Sequence, residues 1–511
     1  MIFLILVYLC FFSGPWSTLA LPTDSRPPEI LPRNHLPSIC IRDEDKFNTR
    51  SIYNILWSCL STIFACTWIT VHPNIPAPGD SQWAVLRRRL ATMGYFILAP
   101  EFVILWAARQ HFDAHYFTQK HEKKHPGWTR AHSFFLIMGG FMLHKRGKPV
   151  RVLVVKDLEE LSEAGKIKWP TITKEEILDR SKGDYLSKMV VLFQATWFVG
   201  QCIARGAYGL TVTELEVVTI AFASLTGVIY YLWWDKPLDV RCSIPVHLLD
   251  GRLRKIKEDI EKKATDPQII PSPQISHNEI LERDENMVVN PNPLLKTSNQ
   301  IDRSTPDSAP TRMQRFRAFI RRSCKEHGIF LGLGYAFIGL PLKHFLDGFV
   351  NMIGSSLSLG DNSLRVPTFY SPDITFYLPD NDNDNDRNLY IILALVMCTG
   401  TVFGAIHCIA WSFHFATLQE RWLWRISSIL VSGLPISAPA LVFLAGKSAP
   451  TITNHTLKKL YDCFATLICI VMAFLYIISR IVLLVLPFVA LRALPPGVYI
   501  QVNWVGFLPH I

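Results

Sequence analysis

Charge is scarce in this chain. Only 18% of its 511 residues are Asp, Glu, Lys or Arg, against roughly a quarter in soluble domains. Paired cysteines are missing as well. The 11 cysteines include no CxxC spacing, and Cys59, Cys66, Cys202, Cys398, Cys408 and Cys469 fall inside apolar runs. That placement fits buried free thiols better than a disulfide framework or a zinc site. No P-loop, GxGxxG fingerprint or GxSxG elbow occurs in a suitable context. Gly332 and Gly334 lie within an apolar run and follow no strand, so a phosphate-binding loop has no support there.

What the chain has instead is apolar length. Hydrophobic residues make up 49%, and mean hydropathy is +0.21. The net charge of +10 could point to nucleic acid. The basic residues, however, sit in loops beside apolar runs, which is the positive-inside pattern. It makes a lipid bilayer, not nucleic acid, the expected acidic partner.

Residues 180–240 form the stretch around which the rest is arranged, with a hairpin at 187–240. Two apolar runs, 189–203 and 217–234, flank a turn carrying Arg205, Gly206, Gly209, Glu214 and Glu216. The second is long enough to cross about 30 Å of hydrocarbon at about 1.5 Å per residue. It ends in Trp233-Trp234 and then Asp235-Lys236-Pro237, which suits a headgroup-level belt and a helix stop. This is read as a transmembrane hairpin.

The remaining segments follow from the same logic. Residues 1–20 resemble a signal peptide or an N-terminal anchor, without the usual positive start, and 21–52 form a connector. Residues 53–110 hold the first two spans, the second containing Pro100-Glu101. Residues 111–186 are a polar, cytosolic or interfacial segment. Its apolar piece, 134–143, is too short to span and is expected to lie in the interface or to return. Thr173-Lys174-Glu175-Glu176 has capping-box spacing. Residues 241–327 read as a charged, partly disordered loop, and 328–342 as a short span with Gly328 and Gly332 at GxxxG spacing. Residues 343–388 read as an acidic non-cytosolic loop, 389–491 as three spans and 492–511 as a tail. Asn454 lies in a glycosylation sequon. The acidic run 380–386 lacks the glycine and terminal glutamate of a calcium loop. The fold expected is all-α: a polytopic transmembrane helix bundle of about seven spans with a large disordered cytosolic loop. Its place is a secretory-pathway or plasma membrane.

Ionisable groups inside spans are costly and mark candidate sites. Glu101 and Arg480 qualify, and opposite charge at comparable depth motivates pairing them. Glu214 and Glu216 sit at the hairpin turn, where complementing a helix N-terminus is the simpler reading. His407 and His414 could line one cavity, and Gly433, Pro435 and Pro439 interrupt the span at 426–445. Either a kink or a broken, substrate-facing helix follows. His121-Glu122-Lys123-Lys124-His125 matches HExxH, with His111 and His115 before it. Pro126-Gly127 ends any helix at once, and no third ligand follows. No residue is therefore assigned as catalytic or metal-binding, and no cofactor is implied.

Several pieces resemble a large family of multi-spanning membrane proteins from filamentous fungi. They are FILAPEFVILWAARQ (96–110), RSKGDYLSK (180–188), TWFVGQCIARG (196–206), TELEVVTIAFA (213–223), YYLWWDKPLDV (230–240) and HCIAWSFHFATLQERWLWRISS (407–428). The resemblance implies membrane architecture and a fungal source. It implies no activity and carries over no catalytic residue, and the HEKKH stretch is not part of it. The leading expectation is a transporter-, channel- or receptor-like bundle with a polar seam of Glu101, His407 and Arg480, taking a small molecule or ion. The alternatives are an integral-membrane enzyme on a lipid-like or terpenoid substrate, with Glu101, Glu214 and Glu216 as acids, and a scaffold recruiting partners through 241–325.

Overall fold

The computed structural model describes residues 49–181, 185–249, 359–360, 362–372, 382–448 and 455–502, with isolated positions at 343, 347–348 and 352. Residues 1–48, Asn454 and most of 250–358 lie outside them. So do the expected signal segment, the glycosylation site and the short span at 328–342. The chain divides into two compact units, Met1–Leu248 with Gly348–Ile511, and Leu249–Asp347. Only the first is described below.

Helix α1, Ile52–Phe64, starts at Ser51, whose hydroxyl accepts from the Asn54 amide. A π-helical turn, Ala65–Ile69, extends it. Helix α2, Gln82–Leu98, and α3, Pro100–Glu122, come next. The chain turns by 113° between them. Pro100 has no N–H to continue the α2 ladder, so the second expected span is broken in its middle.

Next come α4 (Arg130–Ile137), β1 (Phe141–Lys145), β2 (Lys148–Val152), α5 (Val155–Glu163), α6 (Lys174–Asp179), α7 (Tyr185–Ala207), α8 (Glu214–Leu232) and β3 (Ile244–His247). After the gap stand α9 (Asp382–His407), α10 (Leu418–Ser448) and α11 (His455–Ala490).

The molecule is mostly helical, but the all-α expectation missed a three-stranded sheet of order β2-β1-β3. β1 and β2 are antiparallel, joined at Arg146-Gly147, both with positive φ, as a tight hairpin turn requires. β3 joins in parallel from within the expected disordered loop. Residues 134–143 form part of the protein's core. Phe134, Phe135, Ile137, Phe141 and Met142 are buried as α4 and β1. Helix α9 likewise begins inside the expected acidic loop.

Helix α8 is the inner helix, packed by α1, α3, α7, α9 and α11. Of its apolar window 83% is buried, against 22% for α11. Helix α11 turns Phe464, Leu467, Ile470 and Phe474 outward. Four helical segments are long and apolar enough to cross a membrane: α1 with its π turn, α8, α9 with the turn after it, and α11. The bent α2–α3 pair makes a fifth if it counts as one span. Helices α7 and α10 are not among them, so the described residues carry fewer such segments than the expected seven.

The α9–α10 contact is close because Gly400 and Gly404 face Pro435 and Ser432. A Cβ on Gly404 would stand 2.4 Å from the Ser432 nitrogen, whereas one on Gly433 would meet nothing within 4 Å. Gly404→Ala should therefore cost about 1–3 kcal/mol in detergent unfolding, and Gly433→Ala should cost nothing. Equal losses would mean that backbone contact does not set this crossing.

Candidate functional site: a polar seam at the broken helix

The break between α2 and α3 leaves carbonyls at the end of α2 without helical donors. Arg480 of α11 supplies them. Its Nε donates to the Leu98 carbonyl at 2.9 Å and its Nη2 to that of Ile97 at 3.1 Å. Its guanidinium lies 4.0 Å from the centre of the Phe403 ring on α9. Arg480 is only 2% exposed.

Glu101 occupies the first turn of α3. It is 5% exposed, and the donors beside its carboxylate, the Tyr476 hydroxyl and its own backbone amide, do not reach full hydrogen-bond geometry. Arg480 and Tyr476, both on α11, are its electrostatic neighbours. Gly400 of α9 packs beside it, its notional Cβ 3.7 Å from the Glu101 Cβ. The carboxylate thus faces a guanidinium already engaged with carbonyls and aromatic ring.

His407 ends α9 and is fully enclosed. Its Nδ1 lies 2.8 Å from the Phe403 carbonyl. A carbonyl only accepts, so Nδ1 carries the hydrogen and Nε2 remains an acceptor. The rings of His407 and Phe403 are 5.0 Å apart, and Trp424 donates to the His407 carbonyl at 3.0 Å. Phe403 therefore touches both Arg480 and His407, and Glu101, Arg480 and His407 share one seam. His414 is exposed and outside it.

Glu214 and Glu216 are elsewhere, at the start of α8. Glu216 closes a capping box with Thr213, accepting from the Thr213 amide at 2.8 Å, and takes a two-pronged pair from Arg50 at 2.5 and 3.2 Å. Arg205 donates to the carbonyls of Thr211, Gly497, Val498 and Ile500. These contacts tie the α7–α8 turn to the chain's later segment. Beside them Arg50, Asn54, Ser58, Gln201, Arg205 and Gln501 line a cavity of about 210 Å³. Glu214 is buried without joining the Glu101 seam.

The expected belt at Trp233-Trp234 is only half present. Trp234 is exposed, but Trp233 and Lys236 are buried. The Lys236 ammonium donates to the His72 carbonyl at 2.5 Å, Gln110 Oε1 at 2.8 Å and Asn74 Oδ1 at 3.4 Å. It lies 4.5 Å from the Trp233 ring centre and 4.8 Å from that of Trp106. Trp233 Nε1 also donates to Gln110, while Gln110 and Trp106 donate to the Tyr370 carbonyl. Sequence reasoning missed this network, because Lys after a Trp pair looks the same at a headgroup or inside.

The HEKKH stretch is divided by the end of α3. His121 lies 3.1 Å from Glu159, and His125, beyond the helix, stacks on Trp169 at 3.9 Å. Among the described residues, no group of three His, Cys, Asp or Glu side chains could hold a metal ion.

A family model described only as a family of unknown function, DUF8562, matches residues 41–255 and 383–511. The chain belongs to that family. The DUF8562 match contains Glu101, His407, Arg480 and Lys236 with its partners His72, Asn74, Trp106, Gln110 and Trp233, and it leaves out 256–382, Tyr370 included. No curated protein and no solved structure matches the chain.

Two outcomes follow from the DUF8562 geometry. If Glu101 and Arg480 interact across the seam, Arg480→Gln and Glu101→Gln should couple by about 1 kcal/mol in a double-mutant cycle, and additive losses would separate them. Burial draws the Lys236 pKa well below its ordinary value. Between that lowered value and about 10.4, the unfolded chain binds more protons than the folded one. Stability then rises with pH, by up to about 1.4 kcal/mol per unit. Wild type should gain on Lys236→Met between pH 7 and pH 10 in detergent unfolding. A flat difference would mean that the oxygens and indoles hold the ammonium at its ordinary pKa.

Proposed function

We propose that the protein is a multi-pass membrane protein that carries a proton or small cation through its helix bundle, with Glu101 as the group that takes up and releases the charge. The observation behind this reading is the state of that carboxylate. It is buried at the first turn after a broken helix, with the Tyr476 hydroxyl and its own backbone amide beside it but neither in full hydrogen-bond geometry. A buried acid with poorly aligned donors is costly, and a group kept in that state has spare capacity for a transferable cation. Broken helices place backbone termini and ionisable groups at membrane depth in transporters, and the 113° turn at Ala99 has that form. Arg480, already engaged by Ile97 and Leu98, supplies a fixed positive charge that assists release.

Purified protein in liposomes with an entrapped pH dye tests this. Under an imposed potassium-valinomycin potential, wild type should acidify or alkalinise the lumen faster than empty liposomes. Glu101→Gln, isosteric and neutral, should lower that rate about tenfold or more, with an unchanged elution profile. Flux that survives the substitution, or none in the wild type, refutes the assignment. Conversion of an added lipid without flux would move the seam to the enzyme class.

A further inference from the structure

A second cluster, apart from the seam, carries more positive than negative charge. Arg88 and Arg89 of α2, Arg241 after α8 and Arg365 from the 362–372 segment line one pocket of about 40 Å³. Val85, Thr92, Asn74 and Asp239 complete much of its wall. Arg88 pairs with Asp80 at 2.6 Å, while Arg89 and Arg241 share Asp239 at 3.6 and 3.5 Å. Arg365 has no ion pair among the described residues. Four guanidinium groups thus face two carboxylates, and two positive charges stay uncompensated.

The donors are not used up either. Arg89 stacks 4.5 Å from the Trp68 ring centre, which fixes its plane, yet its Nε is buried without a hydrogen-bond partner. Burial and the charge of Arg88 act against the Arg365 cation, and Asp80, already paired with Arg88, offsets them only in part. Like charges held this close repel, and an anion with several acceptor oxygens relieves the repulsion and fills the unused donors together. A water needs roughly 10–15 Å³ of such space, so the pocket suits one phosphate-sized group and nothing bulkier.

The spacing on α2 explains how the pocket is built. Val85, Arg88, Arg89 and Thr92 recur at i, i+3, i+4 and i+7 and so share one face. The opposite face presents Trp83, 80% exposed, with Leu86 and Leu90 also exposed. A helix apolar on one side and basic on the other suits the surface of a bilayer.

We propose that Arg88, Arg89, Arg241 and Arg365 form a binding site for a phosphate group, either free inorganic phosphate or the headgroup of an anionic phospholipid. Thermal unfolding of the full chain in neutral detergent tests it with two probes. One is inorganic phosphate against chloride at equal ionic strength. The other is mixed micelles of phosphatidic acid against phosphatidylcholine. A saturable upward shift with a phosphate-bearing probe is expected. A shift with inorganic phosphate alone assigns the free ion, and one confined to phosphatidic acid assigns the headgroup. The double variant Arg241→Gln/Arg365→Gln should raise the half-saturating concentration by about tenfold or more, and Arg365→Lys should raise it less. On the wild type, sulfate should compete and chloride should not, which keeps the test decisive if the double variant does not fold. No saturable shift beyond chloride and phosphatidylcholine, or a shift undiminished in the double variant, overturns the site.

Discussion

Lys236 places its ammonium in the interior, against the His72 carbonyl and the side-chain oxygens of Gln110 and Asn74, beneath the indoles of Trp106 and Trp233. None of those partners is a carboxylate. A cation in such surroundings loses most of its hydration, and only oriented oxygens and ring faces offset the loss. The partners also come from three different parts of the chain. His72 and Asn74 follow α1, Gln110 and Trp106 belong to α3, and Trp233 ends α8. Gln110 and Trp106 then reach Tyr370, and Asn74 reaches Pro367 and Thr368. A shift of any one element would strand a buried donor or acceptor, so the network fixes how α1, α3, α8 and the 362–372 segment meet.

The same solution recurs at two other buried cations. Arg205 is held by four backbone carbonyls, and Arg480 by those of Ile97 and Leu98. Helix C-termini and irregular segments leave carbonyls unpaired, and these carry partial negative charge. Setting a cation against them satisfies both without an acid. Glu216 is used differently, since its carboxylate caps α8 and holds Arg50. Glu101 is the exception. Its neighbouring cation is engaged elsewhere, which leaves this carboxylate with only the Tyr476 hydroxyl and its own amide beside it, both out of full hydrogen-bond geometry.

The apolar runs made the long helices legible, and Thr-x-x-Glu at Thr173 made one helix start legible. That capping box forms, and the same spacing at Thr213 forms another that went unread. The break at Ala99 had a visible cause in Pro100, but apolar residues on both sides of it favoured one continuous span. Residues 134–143 concealed their strand for a related reason. Ten apolar residues look alike at an interface and in a core, and the partner strand β3 lies about a hundred residues away, with no local signal for it. The functional stretch shows the same limit. Glu101, Arg480 and His407 stand out as ionisable groups in greasy surroundings, but their meeting around Phe403 depends on helix crossings that spacing does not encode. One crossing did leave a trace, because Gly400 and Gly404 stand at GxxxG spacing.

That crossing links α10 to the seam. Pro435 has no N–H, so the Val431 carbonyl one turn earlier loses its helical donor. Gly404 sits against that same turn, its notional Cβ 2.6 Å from the Val431 carbonyl carbon. Phe403 is the next residue on α9, so the approach of α9 to the α10 kink also sets where its ring stands. That ring carries Arg480 on its face and lies against His407. Arg480 in turn closes the end of α2, one turn before Glu101. A slide of helix α10 along α9 would displace Phe403, and with it the ring beneath the guanidinium that closes Ile97 and Leu98. The proline in α10 and the broken α2–α3 helix also meet more directly at Gly400, which faces Pro435 on one side and Glu101 on the other.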